Sequence, residues 1–127
     1  MSKSHREFKL ILVDVQRELC EEWEKAFKEF SSVSIFNGVF QNVTEYDCMV
    51  SPANSFGLMD GGIDLAIRHF FGMQIQKDVQ KIIRNEFYGE QPVGTSKIVF
   101  TENEDHPFLA HTPTMRVPTD ISDTNNV

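Results

Sequence analysis

Residues 47–71 (DCMVSPANSFGLMDGGIDLAIRHFF) constrain the fold more than any other stretch of this 127-residue chain. The apolar run Asp47–Val50 meets Pro52, whose missing N–H and fixed φ predict that a strand ends, or runs along a sheet edge, near Ser51. Gly57, Gly61 and Gly62 follow, and the pattern from Asp64 to Phe71 is helical. A strand, a glycine-rich loop and a helix in that order belong to layered α/β folds, which place ligands at the carboxyl ends of their strands. Asn54 stands at such an end, after a strand read as buried. The glycines can take positive φ and bring backbone close to a ligand, and the loop leads into a helix N-terminus. That layout cradles a phosphate or pyrophosphate, although ordinary tight turns use glycine in the same way. Neither GxGxxG nor GxxxxGK[ST] is present.

The flanking segments fit the same class. Phe8–Val15 (FKLILVDV) has the length and composition of a strand buried on both faces. From Arg17 to Phe30, Leu19, Trp23, Phe27 and Phe30 form one apolar helical stripe, read as core. Val33–Phe36 is a second strand and Asn37-Gly38 a turn signal. Gln74–Tyr88 carries Ile75, Val79, Ile82, Ile83 and Phe87 on one helical face, with Gly89 at the expected stop. Ser96–Thr101 and Phe108–Thr112 are further strands, the latter closed by Pro113. The order β-α-β-β-α-α-β-β predicts an α/β fold of three-layer type, a mixed or mostly parallel sheet with flanking helices. Length predicts one domain over residues 1–127. At residues 119–127, Asp120, Ser122 and Asp123 are N-cap types, so the tail is either loose or the start of a truncated element.

Composition narrows the partners. Twelve Lys+Arg against 19 Asp+Glu give a net charge of −7, with basic residues interspersed among acids, which disfavours duplex nucleic acid. A small anion remains a suitable ligand, because backbone N–H groups bind one without net positive charge. No apolar run is long enough to span a bilayer, and Met1–Leu10 lacks a signal-peptide core, so no membrane partner and an intracellular site are expected. Cys20 and Cys48 have no CxxC partner and are expected reduced and partly buried, with no metal site and no cofactor.

The segment DCMVSPANSFGLMDGGIDLAI resembles the signature of macro domains, which bind ADP-ribose and related NAD-derived nucleotides. That signature runs roughly D-x-x-V-N-x-A-N, a short loop, G-G-G-V-D, then a helix. Asp47, Val50, Ala53, Asn54, Gly61, Gly62, Ile63 and Asp64 occupy matching positions. Val93-Gly94-Thr95, Lys97–Thr101 and Leu109–Thr112 also resemble the family in order and spacing, so that residues 33–119 carry the likeness. The SPAN variant, with FGLMDGGID and a later PTMRVP, is similar to a subgroup of macro-domain-like proteins.

The resemblance implies a ligand site at Ser51, Ala53, Asn54, Gly61, Gly62, Ile63 and Asp64. Asn54 corresponds to the asparagine near the ribose beside the diphosphate. Gly61, Gly62 and Ile63 correspond to the loop whose backbone donors face the distal ribose and diphosphate. Asp64 matches the aspartate that the hydrolytic branch uses to activate or position water at an ADP-ribosyl ester. A helix N-terminus lowers a carboxylate pKa, which predicts an ionised Asp64. The implied partners are a small ADP-ribose-type nucleotide and an ADP-ribosylated protein.

Three features depart from the family pattern. Where it carries an adenine-reading aspartate, this chain has Asn37-Gly38-Val39-Phe40. Ser51 replaces the first asparagine, and Pro52 a small residue. The sequence stops before the family's last strands and second glycine-rich loop, so a domain incomplete at its C-terminus is expected. Three functions follow: nucleotide binding, hydrolysis of ADP-ribosyl esters or O-acetyl-ADP-ribose with Asp64 as the catalytic group, or a non-binding remnant prone to self-association. Simpler roles stand beside the sharp ones. Asp64 could cap its helix, Asn54 could bond its own turn, Asp60 should be solvated, and His69 and His111 are read as structural.

Overall fold

The computed structural model describes residues 7–117. The helix start expected at 119–127, and the first six residues of the N-terminal segment, lie outside the described residues. The chain divides into two compact units, with the boundary between Thr44 and Glu45.

In the first unit, strand β1 (Leu10–Asp14) and strand β2 (Val33–Asn37) pair in parallel, with Leu10 opposite Val33 and Asp14 opposite Asn37. Parallel strands need a crossover, and helix α1 (Arg17–Phe27) supplies it. At the carboxyl end of the pair, the Asn37 amide donates to the carbonyls of Asp14 and Val15, both at 3.1 Å. β1 is half-buried along its whole length, where burial on both faces was expected. The helix is shorter than its stripe suggested. Leu19, Trp23 and Phe27 are half-buried, Cys20 is the buried residue, and Phe30 lies beyond the helix, exposed. A single 3-10 turn, Phe40–Asn42, follows β2.

The second unit is built on a three-stranded mixed sheet of β3 (Cys48–Asn54), β4 (Lys97–Phe100) and β5 (Phe108–Met115), in the order β3-β5-β4. β3 runs parallel to β5, and β4 antiparallel to it. β3 continues through Pro52 to Asn54 instead of stopping near Ser51. Among the described residues it has a ladder partner on one side only, where a proline without an N–H is tolerated. β5 likewise passes Pro113, where the register with β3 slips between the Ala53–Pro113 and Asn54–Met115 rungs. A bulge absorbs the proline that was expected to end the strand.

Helices α2 (Gly62–Phe71) and α3 (Gln74–Phe87) cover one face of this sheet. Ile67 of α2, and Ile75, Val79 and Ile83 of α3, are buried with Ala53, Val99 and Leu109 of the sheet. Each of the Ile, Val and Leu side chains contributes roughly 1.5–3 kcal/mol by leaving water. α3 ends at Phe87, one residue early, because Tyr88 itself takes the left-handed conformation (φ 56°) ahead of Gly89. Val50, Ile98 and Phe100 alternate with the buried positions and are 59%, 48% and 69% exposed. The strand expected to be buried is therefore buried on one side, and Cys48, expected partly buried, is exposed at its start. No described helix is long and apolar enough to cross a membrane.

Candidate functional site

The carboxyl ends of β3 and β5 stop beside the first turn of α2, and a cleft of about 170 Å³ opens there. Ala53, Asn54, Gly61, Gly62, Ile63 and Asp64 line it, so six of the seven residues selected from sequence share one wall. Pro52, Leu58 and Met115 line it too, and sequence reasoning missed them. Met115 could have been found by carrying β5 through Pro113, since that places it at a strand end beside Asn54. Ser51, the seventh, is fully buried behind the wall.

One side chain ties the first half of the loop between β3 and α2 to itself. The Asn54 amide nitrogen donates to the Leu58 carbonyl at 2.7 Å, and its oxygen accepts from the N–H groups of Phe56 and Leu58, both at 3.1 Å. This is the turn-bonding role. It uses one of two amide hydrogens and leaves the second. Further along, the Met59 N–H donates to Gln76 Oε1 at 2.7 Å, and the Met59 side chain is wholly buried. Asp60 is exposed, as expected, and pairs with Arg68 at 3.4 Å.

The three glycines do different work. Gly57 (φ +67°) packs against α3, where a Cβ would stand 2.9 Å from Val79 Cγ1, so it seats the loop and does not face the cleft. Gly61 has extended backbone that any residue adopts, whereas Gly62 (φ +56°) needs its freedom. A Cβ at Gly61 or Gly62 would meet nothing within 4 Å. The N–H groups of Gly62, Ile63 and Asp64 belong to the first helical turn, which has no intrahelical carbonyl to receive them.

Asp64 departs from expectation. α2 has no side-chain cap, and the carboxylate instead accepts a hydrogen bond from Ser51 Oγ at 2.6 Å. Its pKa is not lowered. Burial pushes it up to about 6, and the Ser51 hydrogen bond opposes that rise. At 6% exposure the loss of hydration outweighs the helix dipole. A carboxylate with that pKa is still mostly ionised at neutral pH.

His111 sits in mid-strand on β5, wholly buried, with Nδ1 2.8 Å from Gln91 Oε1 and burial holding its pKa down to about 4. The Gln91 amide nitrogen donates to the His111 carbonyl and to Thr95 Oγ1, which leaves Oε1 to accept, so Nδ1 carries the imidazole proton. Gln91, fully buried, is a residue that sequence reading did not single out. Among the described residues no three His, Cys, Asp or Glu side chains are grouped to hold a metal ion.

Comparison with known proteins places this geometry in a family. The family model for the macro domain matches residues 50–127. The search of curated proteins finds no match. Among solved structures, a single-residue variant of the Oceanobacillus iheyensis macrodomain with ADPR is 31% identical, with a TM-score of 0.51, over 57% of this chain and 40% of that one. The same macrodomain with ADP gives 32% identity and a TM-score of 0.51, again over 57% and 40%. The macrodomain of Mycobacterium tuberculosis DarG shares the fold at 20% identity and a TM-score of 0.53, over 67% of this chain and 55% of that chain. The matched region spans less than half of the Oceanobacillus structures. The family match covers most of the chain and takes in the strand, loop and helix that form the cleft, so the chain belongs to the macro domain family.

Proposed function

We propose that this chain binds ADP-ribose or a related NAD-derived nucleotide in the cleft between the ends of β3 and β5 and the first turn of α2. One observation carries the reading: Asn54, Gly61, Gly62, Ile63 and Asp64 border a single cleft at a helix N-terminus. The diphosphate lies against the N–H groups of that turn, where the helix dipole favours negative charge. The remaining Asn54 amide hydrogen and the Asp64 carboxylate face the ribose. Macrodomain structures with ADPR and with ADP support the ligand class. Calorimetry of the full chain with ADP-ribose tests it: saturable heat is expected, and folded protein giving no heat at millimolar ligand overturns it.

A second reading has its own support. A buried carboxylate with a pKa of about 6 is matched to general-base work near neutral pH. Asp64 then draws a proton from water as its oxygen adds to an ADP-ribosyl ester, on a modified protein or on O-acetyl-ADP-ribose; the ester C–O bond breaks and the proton passes to the departing oxygen. Turnover of such an ester is expected to fall about a hundredfold or more in Asp64→Ala, the usual range for loss of a general base. Turnover unchanged by that substitution removes Asp64 from the chemistry.

A further inference from the structure

Ser51 is 0% exposed, yet its hydroxyl donates to a carboxylate on the cleft wall. A hydroxyl has one hydrogen, and the 2.6 Å contact with Asp64 Oδ1 commits it. That length is typical of a charge-assisted O–H···O⁻ bond. Buried carboxylates are usually paired with a cation. None of the neighbouring charges takes that place. Arg68, one turn further along α2, engages Asp60 and Gln76. On β3 the titratable side chain is Cys48, at the far end of the strand. From β5, His111 is the Cα partner of Ser51, with its ring held by Gln91. On α3, Gln76 reaches the loop, Asp78 bonds Gln74 and Glu86 bonds Lys97. Lys77, Lys81 and Arg84 of that helix have no ion pair with Asp64.

We propose that Ser51 is a positioning residue of the nucleotide cleft: its buried hydroxyl fixes one oxygen of Asp64, so that the other is presented to a hydroxyl of the ligand or to water. This rests on the reading that the cleft takes an ADP-ribose-type nucleotide. Without the hydroxyl, Asp64 has two unanchored oxygens on a side chain free to turn about its last torsion, and its charged form loses a donor. The serine of this chain's SPAN sequence thereby acquires a role that its distance from the cleft conceals.

Two measurements test it. In the unliganded full chain, carboxyl NMR titration is expected to show the Asp64 midpoint moved upward in Ser51→Ala and returned towards wild type in Ser51→Thr, which keeps a hydroxyl. An unmoved midpoint overturns the proposal. Should Ser51→Ala not fold, the unsubstituted protein answers: the Ser51 hydroxyl proton is expected to be protected from exchange and to shift with the Asp64 midpoint, and an unprotected or pH-insensitive proton overturns the proposal. Calorimetry with ADP-ribose then reads the positioning. Ser51→Ala is expected to weaken binding about tenfold, the scale of one charge-assisted hydrogen bond. In an Asp64→Ala background it is expected to change nothing, and equal losses in both backgrounds overturn the role. If the unsubstituted chain takes no ADP-ribose, the nucleotide reading fails while the titration still decides whether Ser51 governs Asp64.

Discussion

Ser51 and His111 face each other across the β3–β5 ladder, and each anchors a different buried polar group. Ser51 donates to Asp64, and the His111 ring is held by Gln91. One rung of the sheet thus joins the cleft wall to a neutral histidine. The two titrating groups oppose one another, because burial raises the pKa of Asp64 to about 6 and lowers that of His111 to about 4.

Stability should therefore depend only weakly on pH between about 4 and 6 in the wild type. The stability that Asp64 contributes is present below its ordinary value of 3.8 and is lost as pH rises through about 6. That of His111 is present above 6.5 and is lost as pH falls through about 4. Asp64→Asn removes the first and exposes the second. The variant is expected to melt above wild type at pH 8, to lie close to it at pH 4, and to lose stability steeply on acidification from pH 6.5. The size is on the order of 2 kcal/mol. Melting curves at half-unit pH steps check this, and parallel profiles for the two proteins contradict it.

Asn54→Ala should damage the loop before it damages any ligand contact. It strands the Leu58 carbonyl and two N–H groups, at a cost of about 2 kcal/mol once water reaches part of the loop. Asn54→Asp keeps an acceptor for both N–H groups but loses the donor to Leu58 and adds negative charge at the cleft. A smaller fall in melting temperature with a larger fall in ADP-ribose affinity is expected, measured by scanning calorimetry and titration on the same samples.

The glycines separate seat from cleft wall. Gly62→Ala forces a side chain into left-handed backbone, which costs about 1–2 kcal/mol, but the Cβ meets open space. Gly57→Ala adds to similar strain a 2.9 Å contact with Val79 Cγ1. The Gly57 variant is expected to have the lower melting temperature of the two. Equal melting would mean that the loop is not seated on α3 as described.

Gln91→Glu places a carboxylate where an amide oxygen now lies 2.8 Å from the His111 ring. An opposite charge at that range favours imidazolium. The His111 pKa is expected to rise well above about 4, read from the imidazole proton shifts by NMR. A midpoint that stays near 4 would place the added charge away from the ring.

Much of this protein could be read from one string of residues. The apolar periods gave the order of strands and helices. The spacing from Ala53 to Asp64 brought six residues to one wall, because a strand end, a loop and a helix start are local features that neighbouring residues dictate. What depended on distant partners could not be read that way. Pro52 and Pro113 stay within strands because one lies on an edge and the other at a bulge, facts of pairing that neither proline carries alone. Burial of Asp64 overrode the helix dipole, and Ser51 left the cleft surface to become its anchor, because the covered face of the sheet brings together groups thirteen residues apart. Sequence determined which chemical groups stand at the site. Tertiary packing decided which of them meet water and which lose it, and that loss of hydration sets their charge.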